Sequence, residues 1–166
     1  MRFDRIDEIK QNSFRGFVAI SALQASNCHE VPEEPGVYLV LRLHTSWPVF
    51  RRKSTGGRFK GKDPTVAVNQ LKDSWVEESV VLYIGKAGGP GKKATLRSRL
   101  RQYMRFGQGN PAPHRGGRYI WQLGDSGSLV ICWRPTVNAH PRTEEKRLIQ
   151  EFKDTYEKRP FANLTD

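Results

Sequence analysis

The stretch VVLYIGKAGGPGKKATLRSRLRQY, residues 80–103, decides how this chain folds. An apolar run rich in β-branched residues opens into a loop of glycines and lysines, and that loop opens into a segment crowded with arginine. No acid interrupts it. The pattern predicts a strand over residues 80–84 and a helix from about residue 95 to 106, with Thr95 as its cap. Placed at helical spacing, Leu96 and Leu100 form a buried stripe, and Arg97, Arg101 and Arg105 form a ladder turned away from it. Arg99 leaves that ladder. It falls beside the apolar stripe with Tyr103, where the helix meets whatever it packs on. The glycines do not make a phosphate-binding P-loop, because Lys86 and Lys93 stand where that pattern needs glycine and Ser or Thr.

Working outward, residues 3–12 read as a short amphipathic helix and residues 14–23 as a strand. A turn at Pro35 and Gly36 leads into a second strand, with Val37, Leu39, Leu41 and Leu43 on one face and Tyr38, Val40, Arg42 and His44 on the other. Residues 45–63 show no period and carry six basic residues between Arg51 and Lys62. They read as a long exposed loop, and loops of that length in compact domains are uncommon and usually either functional or disordered. Residues 66–75 read as a short helix, and RYIWQL and SLVICWRP as a strand hairpin. The last helix follows, with Thr143 as its cap and Pro160 as its stop. Early strands and late helices give an α+β fold: a mostly antiparallel sheet flanked by helices, in a single domain. Residues 1–34 form an N-terminal extension, and residues 45–75 an insertion.

Charge is patterned along the chain. Its 166 residues hold 28 Lys and Arg against 17 Asp and Glu, a net charge of +11. Over half of the cations sit in two acid-free windows, between Glu34 and Asp63 and between Glu78 and Asp125. Such a field suits a phosphate backbone. The cations expected to grip nucleic acid are Arg51, Arg52, Lys53, Arg58, Lys60, Lys62, Lys92, Lys93, Arg97, Arg101, Arg115 and Arg118. Nothing resembles a signal peptide or a membrane span, and Cys28 and Cys132 lie far apart, so a reduced, cytoplasmic protein is expected. The four histidines show no metal-ligand spacing.

The last helix carries an anomaly. Leu148, Ile149, Phe152 and Tyr156 share one apolar face, and Glu145 lies in the middle of it, whereas Glu144 and Glu151 point aside. An ionised carboxylate on a packing face is costly unless it meets a cation or a metal.

The ordered set GVY (residues 36–38), YIGKA (83–87), LRSRLRQY (96–103), ExxLIxxF (145–152) and RPFAN (159–163) resembles the GIY-YIG nuclease superfamily. It is closest in motif to the nuclease module of the bacterial excision-repair excinuclease, and similar also to GIY-YIG restriction and homing endonucleases. The resemblance spans roughly residues 35–163. It implies that Tyr38 and Tyr83 are paired active-site tyrosines, Lys86 a supporting cation, Arg99 the catalytic arginine, Tyr103 its partner one turn on, Glu145 the metal ligand and Asn163 the late asparagine. Glu151 would restore the family's shorter spacing to the asparagine, but it leaves the packed face that Glu145 occupies. The wider gap between the two tyrosine motifs, filled by the basic insertion, has no counterpart in the family core. The implied activity is hydrolysis of phosphodiester bonds, most directly in double-stranded DNA, by a monomer or homodimer using Mg²⁺ or Mn²⁺ held by Glu145. Either Tyr38 or Tyr83 would serve as base, with Lys86 and Arg99 available to favour the phenolate. The charge pattern by itself also admits an RNA-directed nuclease or a non-catalytic DNA-binding module.

Overall fold

The computed structural model describes every residue except Pro113, Arg115, Asn138 and Asp166. It is an α+β fold in which five α-helices pack on a four-stranded sheet. The strands are β1 (Arg15–Ala19), β2 (Gly36–Leu41), β3 (Val81–Ala87) and β4 (Val130–Pro135). Their order is β1-β4-β2-β3, every pair is antiparallel, and β3 lies at one edge. The helices are α1 (Ile6–Gln11), α2 (Ile20–Ser26), α3 (Val68–Ser74), α4 (Leu96–Gly107) and α5 (Pro141–Tyr156). No helix among the described residues is long and apolar enough to cross a membrane.

Alternation along β2 divides the core into two layers. Val37, Leu39 and Leu41 join Ile9 of α1 and Leu148, Ile149 and Phe152 of α5 on one face. Tyr38 and Val40 join Leu96, Leu100 and Tyr103 of α4 on the other. Both layers are dry, so β2 is buried at all six positions. On β3 the alternation breaks once: Val40 pairs with Tyr83 and Leu41 with Val81, leaving Leu82 as an extra residue. This bulge puts Leu82 and Tyr83 together in the layer beneath α4. The predicted stripe of α4 is the buried one, and Thr95 closes its N-terminus through a reciprocal capping box with Ser98.

Four local expectations are corrected. Residues 14–23 are not one strand: Gly16 and Phe17 take positive φ at a bulge, β1 stops at Ala19, and Ile20 and Leu23 bury one face of α2 at helical spacing. Leu43 does not share the face of Leu41, because β2 has ended and Arg42 turns inward to Asp125 at 2.7 Å, leaving Leu43 exposed. RYIWQL is a 3-10 helix (Arg118–Gln122). Tyr119 to Gln122 are buried in succession, so no polar alternation existed to read. The cap of α5 is His140, whose Nδ1 accepts from the Arg142 N–H, with Pro141 preset in the first helical position. Glu145 therefore sits beyond the first turn, where the helix dipole gives it less help.

The basic insertion is the expected exposed loop, and its backbone is docked on the fold. Arg51 N–H donates to Gln122 O, Thr55 N–H to Trp121 O, and Gly57 N–H to Phe106 O. Gln122, which is buried, completes the clamp. Its Oε1 accepts from Val66 N–H, and its Nε2 donates to the carbonyls of Arg51 and Val66. The N-terminal extension is equally integral, since β1 extends the sheet and Phe3 packs on Phe152. Both cysteines are free and buried.

Replacing Gln122 with Leu keeps the volume and orphans three backbone groups, at about 1–3 kcal/mol for each that stays buried. Gln122→Leu is expected to lower the urea midpoint and to open residues 51–62 to trypsin. A digestion pattern and rate equal to the parent's would show that Gln122 does not hold the insertion.

Candidate active site

The site is built around the free edge of β3. Ala162 N–H donates to Leu82 O at 2.8 Å. Asn163 then pairs with Ile84 as a strand would: its carboxamide oxygen accepts from Ile84 N–H at 2.9 Å, and its amide nitrogen donates to Ile84 O at 2.8 Å. Beside this closed edge lies an open cleft of about 620 Å³, lined by Tyr83, Lys86, Arg118, Arg142, Glu145 and Asn163. Tyr83 reaches it from the α4 side of the sheet, and Lys86 and Glu145 from the α5 side.

Tyr38, Tyr83 and Tyr103 form a triangle of rings, with centroid separations of 5.9 to 6.3 Å. The ring of Tyr38 lies over Gly85, directly opposite it on β3, where any Cβ would fall inside the ring's van der Waals envelope. That is why the strand carries glycine there. The Tyr83 phenol and the Arg99 guanidinium lie near enough to the Tyr38 oxygen to oppose the rise of its pKa. Arg99 also donates to Gln102 Oε1 at 3.3 Å. Tyr103 is fully buried, and its hydroxyl donates to Gly117 O at 2.8 Å, so that group fixes the 116–117 turn against Tyr83.

Burial dominates the electrostatics. It pushes the Tyr38 phenol up to about 12, and those of Tyr83 and Tyr103 well above the ordinary value of 10. Arg99 pulls all three the other way, without prevailing. Arg99 acts on the phenols as expected, and the charge of Lys86 acts on Glu145. Burial raises the Glu145 carboxyl above the usual carboxylate value, opposed by the charges of Lys86, Arg142 and Arg99. The charge of Glu145 in turn reaches both Tyr38 and Tyr83. Arg99, Glu145 and the paired phenols thus share one electrostatic environment, although α4 and α5 cover opposite faces of the sheet.

The other two acids of α5 are occupied elsewhere. Glu144 pairs with Arg134 and Arg147, and Glu151 with Arg147 and the N-terminal amine. Among the described residues Glu145 is the one carboxylate on the cleft, and no group of three His, Cys, Asp or Glu could cage a metal. That donor set fits an ion that keeps water and takes further oxygens from a ligand, as Mg²⁺ and Mn²⁺ do. It does not fit a structural zinc.

The basic residues divide into groups. Arg52, Lys53, Lys60, Lys62, Lys92 and Lys93 are exposed on the insertion and on the turn closed by Gly89 and Lys92. Arg51 donates to Gly124 O and Arg58 to Gly61 O from exposed positions. Arg97 and Arg101 do not stand clear of the fold as the ladder implied. Arg97 donates to Val31 O and pairs with Glu33, and Arg101 donates to Asn27 O, so both fasten α4 to the N-terminal extension. Arg118 lines the cleft, and Arg115 lies outside the described residues. The sequence reading missed Arg142 and His114. Arg142 is exposed near the start of α5 and carries no pattern, and His114 is wholly buried against Tyr103. The basic stretch HRGGR, residues 114–118, was the only trace of the latter in the sequence. No family model, curated protein or solved structure matches the chain.

The raised pKa of Glu145 fixes the sign of a stability effect. The native carboxyl keeps its proton to higher pH than an unfolded one, so stability is lost as the pH rises through and above the usual carboxylate range. Glu145→Gln is expected to raise the melting temperature at neutral pH, and the gain should shrink as the pH falls below that range. A lower melting temperature for the variant at pH 7 would mean that the charge is satisfied in the fold.

Proposed function

We propose that this protein is a divalent-metal-dependent endonuclease acting on DNA, with Arg99, Glu145, Tyr38 and Tyr83 as its reacting centre. The observation that carries the reading is that Tyr83 and Glu145 line one cleft at the β3 edge, with the Tyr38 ring packed on Tyr83 behind it and Arg99 within electrostatic reach. The order of their motifs, which resembles that of GIY-YIG nucleases, supports it. So does the cost of the arrangement: a half-buried carboxylate and clustered buried phenols are poor choices for stability and useful ones for chemistry.

In this reading Arg99 binds the scissile phosphate through its planar fork and offsets the charge that builds there as water attacks. Glu145 would hold Mg²⁺ or Mn²⁺, which when bound supplies charge to the phosphate and cancels the negative field that Glu145 imposes on both phenols. The Tyr38 phenolate takes the proton of the attacking water, and the departing oxygen takes its proton from solvent. Tyr83 donates toward the Tyr38 oxygen, favouring Tyr38 as the charged member of the pair. Lys86 and Arg142 keep Glu145 ionised when no metal is present. Tyr103 and Asn163 are positioning residues, because their polar groups are committed to Gly117 and to Ile84. The exposed cations of residues 51–62 and 92–93 bind the backbone without reading sequence.

Supercoiled plasmid with Mg²⁺ tests the proposal. The parent is expected to nick or linearise it, and Arg99→Ala and Glu145→Gln to slow cleavage at least about a hundredfold. Equal traces in all three proteins, or binding without breakage by the parent, would overturn it. Faster cleavage of an RNA duplex of the same sequence would reassign the substrate.

The role given to Tyr38 has its own measurement. Its phenol is pushed up to about 12 in the resting protein, so the single-turnover rate of the parent should climb with pH through the neutral and mildly alkaline range. Tyr38→Phe should lose about a hundredfold or more in rate together with that slope. A variant that keeps the slope would move the base elsewhere.

A further inference from the structure

Where the insertion folds over α4 it leaves a second cavity, of about 290 Å³, separate from the cleft. Phe59 and Phe106 give it apolar walls, and Lys60, Lys62 and Arg118 supply cations. His114 also lines it. The imidazole is fully buried and stacked on Tyr103 with ring centroids 4.3 Å apart, and neither ring nitrogen has a hydrogen-bond partner among the described residues. Unpaired buried nitrogens are costly, and they point to a ligand that pairs with them. Burial and the charge of Arg99 hold the ring well below its ordinary pKa, so it is neutral and offers one donor and one acceptor.

We infer that this cavity receives a single nucleobase extruded from the bound nucleic acid. The inference rests on the nucleic-acid reading above. Its volume is near the lower end of the range for small-ligand pockets, which suits one base and not a duplex. The phenyl faces stack on any base, and His114 and the carboxylate of Asp63 meet its polar edge. Asp63 Oδ1 accepts from Thr65 N–H at 2.9 Å, and its carboxylate, an acceptor only, suits the donor of a base and repels phosphate. Phosphate contacts fall to the lysines of the tip. Phe59 and Lys62 close a two-residue hairpin, with Lys60 and Gly61 both at positive φ, and a Cβ on Gly61 would meet nothing within 4 Å. The tip therefore faces solvent while Phe59 packs inward. Arg118 lines both cavities, so the same residue would contact the backbone between the extruded nucleotide and the reacting phosphate.

The test uses a DNA duplex with one unpaired 2-aminopurine, the same duplex fully paired, and a third with an abasic bulge, each bound by full-length Glu145→Gln protein to suppress turnover. An unpaired base costs little to extrude. The bulged duplex is expected to bind about tenfold more tightly than the paired one, with a change in 2-aminopurine emission, and the abasic bulge to lose that advantage. Phe59→Ala in the same background should abolish the difference and leave paired-duplex affinity intact, whereas Phe59→Tyr should keep it. Equal affinity for base-containing and abasic bulges overturns the inference, as does an undiminished preference in a folded Phe59→Ala variant. If the parent nonetheless cuts plasmid, only the base pocket falls; failure to bind any duplex overturns the nuclease reading with it.

Discussion

The arrangement depends on the pairing that closes the edge of β3. An edge strand exposes a row of unpaired backbone groups. Here Ala162 and the Asn163 carboxamide satisfy those of Leu82 and Ile84, and do so with two residues rather than a fifth strand. A full strand would have walled the two faces of the sheet from each other. The short closure leaves a cleft that Tyr83 enters from one layer and Glu145 from the other, so groups borne by helices on opposite sides act on one another. Gly85 serves the same end from within the strand, because its missing side chain is the space that the Tyr38 ring fills.

That geometry sets fold against charge. The layer beneath α4 buries three phenols and an imidazole among apolar side chains, and burial moves each toward its neutral form. Arg99 is the cation within reach of all four. On the other layer Glu145 keeps company with Lys86 and Arg142, and burial still prevails in raising its carboxyl. Burial favours the neutral form of each of these groups, and a ligand that brings charge would alter that field. Anionic phosphate together with a divalent cation would do so.

The two regions without a place in the family pattern have structural work. The N-terminal extension supplies β1 and α2 and holds α4 through Arg97 and Arg101, which removes those two arginines from the set free to meet a phosphate backbone. The insertion is fastened by Gln122 and then displays its remaining cations around a cavity of its own. Charge counting along the sequence treats all of these residues alike. Only their backbone partners separate the anchoring arginines from the exposed lysines.

Much was legible from one dimension because it is local. The i, i+4 stripe of Leu96 and Leu100, the Thr95 cap, the alternation of β2 and the misplaced Glu145 are set by periods of 3.6 and 2.0, which residues express without knowing their distant neighbours. The departures arose where packing overrode local preference. RYIWQL is buried all round and so carries no period, and the run at residues 14–23 fits a strand and a helix equally until Gly16 and Phe17 bend it. Which acid of α5 faces the cleft was readable from the helical face. That Glu144 and Glu151 are held by Arg134, Arg147 and the N-terminus, that Asn163 completes a strand edge, and that His114 sits unpaired on Tyr103 were decided by tertiary contacts alone. Those partners lie many residues away, and no spacing rule links them before the chain has folded.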